Sequence, residues 1–597
     1  MKSQVVVDRT SPSDAVVSRP VFFGDSRTPL FGLLTFPASR SVVGGVLVCP
    51  SLGKEQAETT RGLKMLADRL ADSGFVVLRF DYACTGESAG AQDDPTACDR
   101  WLHSIGEGIE YLRHTGVDNI DMVAHRAGAL LATQLPDVLG SVESLVLWDP
   151  VDRGSAFIRA KAVLYNMISD DDGTVPGPRP PRVVDEDPQH VHVAGHSLDL
   201  VAAAALKSLR ADVESVTAAR PDKESTIVVS ASDSMRSKFV DRFRAAGIEV
   251  VDGGDMSAFL GPTHPAYLHL PESTIIGIVE WLRGRSGTTR RPISVDDGPS
   301  ASATVAHTPA GDPIDTRVYV LDDGVTMVWD TAIRDTHDTA TQVFVGHSLG
   351  QYIRTGPGRL WWETALNVAA RGGRGIRFDR PDVGESPSPT SAVEGGPLYT
   401  KAAIARCLSI LPLLERLPTG SHVVHAGICV GSWASAHVAL AHADRGSVAR
   451  LTSSVVLVNS LMWRLRPFQV EALIDDVGIG GLPVDVDTPR LRTRVAYKLS
   501  AAGSKVVPHV RRLPAVLRTS VEKLPFVQMP ELMIGALVRR GVGVTLVFSP
   551  RDNARFSERL GGDDALRAAQ GPVKRYVASH GDHTSYWQVP DNRSSRS

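Results

Sequence analysis

The feature of this chain that most constrains its fold is an internal repeat. The first copy reads GVLVCPSLGKEQ, then LKMLADRLADSG, then FVVLRFDYACTGES, and the second reads QVFVGHSLGQY, then LWWETALNVAARGG, then RGIRFDRPDVGES. Both copies contain an apolar run, a Ser-Leu-Gly turn, an amphipathic helix, a second apolar run with Arg-Phe-Asp, and a Gly-Glu-Ser triplet. Because a repeated unit of this length is large enough to have its own core, the repeat predicts two domains of one fold.

The stretch between the two copies has a different composition. It reads GRSGTTRRPISVDDGPSASATVAHTPAGDP, which is rich in Gly, Pro, Ser and Thr and shows no apolar periodicity. Such a composition is typical of a linker, which we place at residues 285–315. The predicted domains are therefore 18–284 and 316–590.

Short apolar runs alternate with helix-like stretches in both domains. The first domain contains VLVCP, VVLRFD, IDMVAH, LVLWDP and IVVSAS, and the second contains VFVGH, GIRFD, HVVHAG, VVLVNS, VTLVFS and KRYVAS. Runs this uniformly apolar are typical of buried parallel strands with helices on both faces of the sheet. We predict the α/β class, with two doubly wound, mostly parallel sheets whose ligands bind at the carboxyl ends of the strands. Less regular insertions at 151–215 and 461–535 are predicted to form caps.

The second domain carries a cysteine where a nucleophile is expected. The sequence GICVG at residues 427–431 follows the apolar run VVHAG and precedes the helical stretch SWASAHVALAHA. A nucleophile on such a turn has φ > 0, and glycines two residues to either side avoid clashes with the turn and the adjoining helix. The N-terminus of that helix also stabilises an anion at the turn. We therefore predict that Cys429 is the nucleophile rather than a buried structural cysteine.

A second turn has the Gly-x-Ser-x-Gly spacing of serine hydrolases. It is the sequence GHSLG at residues 346–350, and it would nominate Ser348 as the nucleophile. However, it follows the first long strand of its domain, whereas a nucleophile turn follows a strand near the middle of the sheet. We therefore predict that this turn supplies an oxyanion donor, the backbone N–H of Leu349 or of Ser348, which acts together with the N–H of Val430.

Both halves resemble the α/β-hydrolase superfamily, and they are especially similar to bacterial hydrolase-like proteins associated with exopolysaccharide and exosortase loci. In the first half the likeness rests on CPSLGKEQ, LRFDYACTGESAG, AHRAGALLA, LVLWDPV and VAGHSLDL, and in the second on IRFDRPDVGES and VLVNSLMWRLRP. The resemblance implies two tandem α/β-hydrolase folds, each with a cap insertion, and a triad in the order nucleophile, acid, histidine. This chain departs from the family in having Cys429 in place of the serine.

The resemblance also indicates where the acid and the base should lie. After the strand VTLVFS, the loop SPRD places Asp552 at the position of the acid. After the strand KRYVAS, the sequence HGDHT contains His580 and His583, of which the family's usual arrangement favours His583. In such a triad the acid orients the histidine, and the histidine takes the proton of the nucleophile. Asp582 and Asp563 are alternative acids, and His580 is an alternative base.

The first domain lacks this chemistry at the matching positions. Its turn reads AHRAG, with Arg126 at the position of the nucleophile, and Met256 aligns with the histidine. Asp233 aligns with Asp552. An arginine does not act as a nucleophile at neutral pH, and methionine does not accept a proton. We therefore predict that the first domain is inactive by this mechanism and that it binds, braces or dimerises.

A cysteine nucleophile favours acyl transfer. A thiolate attacks an acyl carbonyl and yields a thioester acyl-enzyme, which reacts with amines and thiols more readily than an oxygen ester does. We therefore predict an acyltransferase or thioesterase of specialised-metabolite or polysaccharide biosynthesis, acting on an acyl ester or thioester. The alternative is an ester or lactone hydrolase with the same triad, similar to the dienelactone hydrolases with their cysteine nucleophile. A third hypothesis is a non-catalytic pair of binding domains.

A basic stretch lies in the predicted cap of the second domain. Its cations are Arg490, Arg492, Arg494, Lys498, Lys505, Arg511, Arg512, Arg518 and Lys523, and only Glu522 opposes them. Such a stretch is either a solvated helix face or a binding site for an acyl carrier protein, a coenzyme A phosphate or an anionic glycan.

Composition narrows the remaining function classes. With 64 Lys and Arg, 67 Asp and Glu and a net charge of −3, the chain lacks the basic excess of nucleic-acid binders. No run approaches the roughly 18 apolar residues that span a bilayer, and the N-terminus has no apolar signal region. The five cysteines include no CxxC pair, so the sequence predicts neither a disulfide framework nor a zinc site. We expect a cytoplasmic protein with no cofactor and no metal.

Overall fold

The computed structural model of the protein describes most of the chain. The described residues are 16–169, 189–260, 270–348 without 297 and 299, 350, 352–381, 383–386, 399–445, 452–467, 528–569 and 571–578. They form two large sheets covered by helices and two small two-stranded sheets.

The first half of the chain contains one large sheet. In chain order its strands, with those of the small sheets, are β1 (Val16–Phe23), β2 (Leu30–Pro37), β3 (Ser41–Val42), β4 (Gly44–Cys49), β5 (Phe75–Phe80), β6 (Ile120–His125), β7 (Leu145–Trp148), β8 (His190–Val193), β9 (His196–Asp199), β10 (Thr226–Ser230), β11 (Glu249–Asp252) and β12 (Arg291–Pro292). The large sheet has the order β1-β2-β5-β4-β6-β7-β10-β11. β2 pairs antiparallel with β1 and β5, and the other pairs in this sheet are parallel.

Helices cover both faces of the first sheet. They are α1 (Lys54–Asp72), α2 (Ala97–His114), α3 (Ala127–Ala132), α4 (Pro136–Gly140), α5 (Gly154–Ser169), α6 (Leu200–Ser208), α7 (Val213–Ala219), α8 (Lys238–Ala245), α9 (Ser257–Leu260) and α10 (Glu272–Arg285). Along β5, Val77 belongs to the same buried cluster as Leu66 of α1, whereas Leu78 belongs to the cluster of Ile105 in α2. Successive side chains of a strand point to opposite faces, so burial on both sides explains why β5 is uniformly apolar rather than alternating.

The second half repeats this architecture. Its strands are β13 (Ala301–His307), β14 (Pro313–Val320), β15 (Met327–Ile333), β16 (Gln342–His347), β17 (Arg374–Asp379), β18 (His422–Ile428), β19 (Thr452–Val458), β20 (Gly543–Phe548) and β21 (Val573–Val577). Its helices are α11 (Leu360–Ala369), α12 (Lys401–Cys407), α13 (Leu411–Glu415), α14 (Val430–Arg445), α15 (Pro530–Arg539), α16 (Pro550–Ala554) and α17 (Gly562–Ala568).

The second sheet has the order β13-β14-β15-β17-β16-β18-β19-β20-β21. Apart from the additional edge strand β13, this is the order of the first sheet, and β15 again pairs antiparallel with both of its neighbours. The strands from β17 to β21 are parallel to one another. The predicted α/β class with two mostly parallel sheets is confirmed.

The structure describes most of the predicted linker and parts of the two predicted cap segments. The stretch 285–315, predicted as a linker, contains β12, β13 and the start of β14, so the second sheet already begins at Ala301. Its Ser- and Thr-rich composition suits an edge strand with little burial, which sequence patterning does not distinguish from a linker. The first cap segment, 151–215, contains α5, the β8–β9 hairpin and α6. Most of the second, 461–535, lies outside the described residues.

The two halves contact each other through an apolar cluster. Phe31 and Leu33 of β2 share a buried cluster with Val318, Met327 and Trp329 of the second half. The rings of Phe31 and Trp329 meet edge to face, with centroids 6.0 Å apart. Burial of these side chains stabilises the association of the two halves by the hydrophobic effect.

Reciprocal ion pairs flank that cluster, and they join the two motifs that define the repeat. Arg79 of the first Arg-Phe-Asp donates two hydrogen bonds, of 2.9 and 2.7 Å, to Glu385 of the second Gly-Glu-Ser. Arg377 of the second Arg-Phe-Asp donates to both carboxylate oxygens of Glu87 in the first Gly-Glu-Ser, each at 2.7 Å. Arg354 adds a contact of 3.1 Å to Glu87. Burial alone would raise the pKa of Glu385, but the charge of Arg79 holds this pKa below its usual value.

A further arginine of the second half donates hydrogen bonds to the backbone of the first half. Arg359 donates hydrogen bonds of 2.8 to 2.9 Å to the carbonyl oxygens of Cys84, Gly86, Ser88 and Gly90. These carbonyls belong to the loop that carries Glu87, so the same loop receives both side-chain and backbone contacts from the second half. The interface therefore contains directional hydrogen bonds and ion pairs as well as apolar contacts.

In the described part of the chain, no helix is both long and apolar enough to cross a membrane.

We expect the substitution Glu87→Gln to destabilise the protein strongly. Glu87 is fully buried, and the change leaves Arg377 without its carboxylate partner and Arg354 with Asp379 alone. Loss of one partner from a buried ion pair costs about 3–5 kcal/mol. Chemical denaturation followed by tryptophan fluorescence should therefore show a markedly lower midpoint.

The matched control is Asp322→Asn, which breaks an ion pair with Arg416 whose two side chains are 83% and 67% exposed. We expect this variant to stay within about 1 kcal/mol of the unchanged protein. Equal midpoints for the two variants would contradict a structural role for the reciprocal pairs.

Candidate functional site

Cys429 lies on a sharp turn between β18 and α14. Its φ is +53°, and its side chain is 1% exposed. The backbone N–H of Cys429 donates to the carbonyl of Val458 at the end of β19, at 2.9 Å. Few residues other than glycine adopt a positive φ, so this conformation indicates local strain that the surrounding structure maintains.

The two glycines that flank the cysteine are required by close backbone contacts. A Cβ atom on Gly427 would collide with the carbonyl oxygen of Gly431. A Cβ atom on Gly431 would lie 2.7 Å from the carbonyl oxygen of His347 and 2.8 Å from that of Ser348. The Gly-x-Cys-x-Gly frame is therefore a steric requirement of this turn and of the adjacent β16 turn.

The β16 turn lies next to the cysteine turn. The close approach of Gly431 to the backbone of Ser348 brings the two turns together. The Ser348 hydroxyl points to the carbonyl of Phe378, at 3.5 Å, and the residue is 6% exposed. Val430 is the first residue of α14, so its N–H belongs to the first helical turn, whose N–H groups have no carbonyl partner within the helix. Leu349 lies outside the described residues.

Asp552 lies at the same edge of the sheet as Cys429. β18, β19 and β20 are adjacent parallel strands, and Cys429 follows β18 while Asp552 follows β20. Asp552 is 6% exposed and accepts a hydrogen bond of 2.8 Å from the hydroxyl of Ser549. Between them, Asn459 follows β19 and accepts the Ser549 N–H at 2.7 Å.

Asp563, an alternative acid, is placed differently. It lies in the first turn of α17, pairs with Arg575, and its side chain is 60% exposed. A carboxylate in that environment is solvated, whereas Asp552 is enclosed. The two carboxylates thus differ in burial, and Asp552 as the acid stays a prediction.

Several predicted residues lie outside the described residues. They are His580, Asp582, His583, Arg490, Arg492, Arg494, Arg511 and Arg512. β21 ends at Val577, so the chain leaves the sheet beside β20 shortly before His580 and His583.

Three buried histidines of the second half bind one another. His347 Nε2 lies 3.3 Å from His425 Nδ1, and His425 Nε2 lies 3.4 Å from His442 Nδ1. Burial lowers the pKa of His347 to about 3, so its ring stays neutral. Within the described residues these rings make no hydrogen bond to Cys429, and so none of them is placed as its base.

The first half has the same backbone turn with a different side chain. Arg126 follows β6 with a φ of +54°, and its N–H donates to the carbonyl of Trp148 at 2.9 Å. A Cβ atom on Gly128 would collide with the carbonyls of Cys49 and Pro50. In the same way, a Cβ atom on Gly431 would collide with the turn that follows β16. The two halves thus present different side chains on one backbone geometry.

Ionic contacts surround Arg126. Its guanidinium lies 3.1 Å from Glu55 and 3.0 Å from Asp149, and Lys161 lies 2.6 Å from Glu55. Ser51 donates to the second oxygen of Glu55 at 2.6 Å. Burial alone would raise the pKa of Glu55, but the charges of Arg126 and Lys161 hold this pKa well below its usual value.

One alignment of the first half needs correction. Asp149 and Asn459 both have positive φ, and they accept the N–H of Ala231 and Ser549, respectively. Ala231 therefore matches Ser549, and Ser234, three residues further on, matches Asp552. The predicted counterpart, Asp233, is one residue out of register, because the sequence offers no marker for register within a short loop. Met256 is 2% exposed and packs in the apolar cluster of Trp148 and Phe259.

Sequence reasoning missed Tyr399 and Asn459. Tyr399 is 3% exposed and belongs to the same buried cluster as Cys429. No motif marks it, because it lies thirty residues before the turn. The sequence offered one signal for Asn459. In the runs LVLWDP and VVLVNS, the residue next to last is Asp149 or Asn459, and Asp and Asn tolerate positive φ.

Solved structures resemble this chain at low identity. A hypothetical protein from Pseudomonas aeruginosa is 16% identical, and the match covers 47% of this chain and 99% of that one, with a TM-score of 0.31. An α/β hydrolase from Penicillium is 14% identical, with 45% and 99% covered and a TM-score of 0.31. An esterase from Pyrococcus furiosus is 14% identical, with 47% and 96% covered and a TM-score of 0.30. No family model matches the chain, and no curated protein does.

We expect Arg126→Ala to lower stability without changing the reactivity of Cys429. The change leaves Glu55 and Asp149 buried with one cation fewer, which costs about 1–3 kcal/mol. Arg153→Ala is the control, because Arg153 forms an ion pair with Asp152 on the surface and is half exposed. Thermal unfolding measures the first effect, and alkylation of Cys429 by iodoacetamide measures the second. Loss of alkylation in Arg126→Ala would show that the first half contributes to the chemistry.

Proposed function

We propose that this protein is a cysteine-dependent acyl-transfer enzyme, an acyltransferase or a thioesterase, that acts through an acyl-Cys429 intermediate. The observation that carries this proposal is the conformation of Cys429. A cysteine with φ of +53°, held between two glycines that admit no side chain, presents its thiol at the end of a central strand. A cysteine with only a packing role does not need such a strained turn.

The cysteine turn lies at the N-terminus of a long helix. Cys429 directly precedes α14, a helix of 16 residues, and the partial positive charge of a helix N-terminus favours an anion there. The thiolate is the reactive form of cysteine, since the neutral thiol is a weak nucleophile. The position of Cys429 thus suits a nucleophile as well as an acyl carrier.

In the proposed reaction, His583 takes the proton of the Cys429 thiol, and Asp552 holds the imidazole in the required tautomer. The sulfur then attacks the acyl carbonyl carbon, and the leaving group departs with the proton from His583. The N–H of Val430 and that of Leu349 or Ser348 stabilise the negative oxygen. In the second step, an acceptor transfers its proton to His583 and attacks the thioester carbon. The bond from that carbon to the Cys429 sulfur breaks, and the sulfur takes the proton back from His583.

The nature of the acceptor separates the functions that this site supports. An amine, alcohol or thiol acceptor makes the protein an acyltransferase, and water makes it a thioesterase or an ester or lactone hydrolase. Intact-protein mass spectrometry with acyl-coenzyme A, acyl carrier protein and simple acyl ester donors, with and without acceptors, identifies which reaction takes place. A non-catalytic pair of binding domains would give no acyl adduct with any donor.

The first half is proposed to brace the second. The reciprocal pairs Arg79–Glu385 and Arg377–Glu87 attach it to β17 and its following loop. β17 pairs with β16, which leads into the proposed oxyanion turn. The basic stretch at 490–523 is proposed to bind the carrier protein or coenzyme A of the donor.

Cys429→Ala should abolish acyl labelling. The change removes the sulfur that forms the thioester, while alanine keeps the Cβ atom and thus the packing of the turn. Cys407→Ala is the control, because Cys407 is also buried, at 5% exposure, but lies in α12 away from any turn of this kind. Labelling that survives in Cys429→Ala but disappears in Ser348→Ala would show that the β16 turn carries the nucleophile.

His583→Ala should lower the rate of acylation by about 10³-fold or more, as loss of a triad member does in related mechanisms. Asp552→Asn should be severe but milder, since it disturbs orientation and not the base itself. The comparison variant is His580→Ala, and single-turnover acylation is the measurement. A large defect in His580→Ala together with a mild one in His583→Ala would reverse the two assignments.

A further inference from the structure

A chain of three buried histidines connects the β16 turn to the core of the second half. His347 ends β16, His425 lies in β18, and His442 lies near the end of α14. His347 Nε2 contacts His425 Nδ1 at 3.3 Å, and His425 Nε2 contacts His442 Nδ1 at 3.4 Å. Two imidazole contacts thus join the β16 turn to the far end of the helix that Cys429 precedes.

The three rings determine one another's tautomers. Burial lowers the pKa of His425 and of His442 below the usual value of histidine, as it does that of His347, so all three rings stay neutral. A neutral imidazole has one N–H donor and one acceptor nitrogen. If His347 donates to His425, then His425 must donate to His442, and reversal of the first contact reverses the second. The two contacts therefore form as a unit.

The first ring of the chain belongs to the turn that is proposed to bind the oxyanion. His347 is followed directly by Ser348 and Leu349, one of which is proposed to supply a backbone donor. A Cβ atom on Gly431 would lie 2.7 Å from the carbonyl oxygen of His347, so this turn packs against the first turn of α14. That helical turn begins with Val430, which carries the other proposed donor. A displacement of His347 would therefore change the distance between the two donors.

The first half serves as an internal comparison. When the two Ser-Leu-Gly turns are aligned, Pro50 stands where the second half has His347. When the arginine and cysteine turns are aligned, Met122 stands where the second half has His425. Proline and methionine side chains have no N–H group and cannot form such a chain. The half with the cysteine therefore has the chain, and the half with the arginine lacks its first two members.

We propose that His425 and His442 are positioning residues that act through His347 and hold the proposed oxyanion donor of the β16 turn against the cysteine turn. This proposal rests on the proposed function, in which two backbone N–H groups stabilise the negative oxygen of the acyl intermediate. Such donors are effective only when they are already placed where the charge develops, and loss of one costs about 10²–10³-fold in rate. None of the three rings exchanges a proton with the substrate.

The test replaces His442 by leucine or by asparagine in the full chain. Leucine removes the contact with His425, whereas the side-chain amide of asparagine takes the place of the Nδ1 atom. Within the described part of the chain, the Nε2 atom of His442 has no hydrogen-bond partner, so asparagine loses none of the contacts that join the three rings. His422→Leu is the control, because it breaks a contact of 2.9 Å between His422 and Ser454 that involves none of the three rings.

Two rates separate positioning from general damage. Single-turnover acylation of Cys429 by acetyl-coenzyme A or p-nitrophenyl acetate uses the oxyanion donors, whereas alkylation by iodoacetamide forms no oxyanion. His442→Leu should lower the acylation rate about tenfold, since a displaced donor still contributes in part, and should leave the alkylation rate unchanged. His442→Asn should restore most of the acylation rate. His425→Leu should show the same defect as His442→Leu and replaces it in the test if that variant does not fold.

Amide hydrogen exchange, followed by mass spectrometry, gives a readout that needs no acyl donor. Peptides of the β16 turn should exchange faster in His442→Leu than in His442→Asn or His422→Leu, because only the first change breaks the chain. Unchanged exchange at this turn in both His442→Leu and His425→Leu would overturn the proposal, and so would equal losses of acylation and alkylation. If no donor acylated the unchanged protein while the turn loosened in His442→Leu, the proposed function would fail and the histidine chain would stand as the anchor of the turn.

Discussion

Two buried arginine–glutamate pairs join the two halves of the chain. In each pair, the arginine belongs to one half and the glutamate to the other. Arg79 with Glu385 and Arg377 with Glu87 are almost or entirely removed from water. Removing such charges from water is costly, and their geometry with two hydrogen bonds each recovers that cost only when both partners are present. Only one relative arrangement of the two halves keeps both pairs formed. The same pairs hold the loops that carry the glutamates in place.

The same loops connect the interface to the candidate site. In the second half, Asp379 at the end of β17 accepts hydrogen bonds from the N–H groups of Arg354 and Glu385. β17 lies beside β16, whose following turn contacts Gly431. A continuous series of paired strands and buried polar contacts thus extends from the interface to the turn of the cysteine. Positioning of catalytic groups generally depends on such supporting contacts.

The two turns show that one backbone geometry carries very different side chains in the two halves. Arg126 and Cys429 have nearly equal positive φ and the same hydrogen bond to the neighbouring strand. At one position, Glu55 and Asp149 neutralise the side chain, and at the other the side chain lies in an apolar cluster with Tyr399 and Trp433. The backbone fixes where a side chain is presented, and the chemistry depends on which side chain that is and on what lies opposite.

The sequence by itself determined the repeat, the α/β class and the turn of Cys429, because apolar runs, glycine spacing and repeated motifs act locally. Only the tertiary structure decided that Arg-Phe-Asp and Gly-Glu-Ser form the interface, that 301–307 is an edge strand, and that Tyr399 lies in the buried cluster of Cys429. Those contacts join residues far apart in the chain. Their pairing depends on strand order and on the packing of the two halves, which local patterns do not encode.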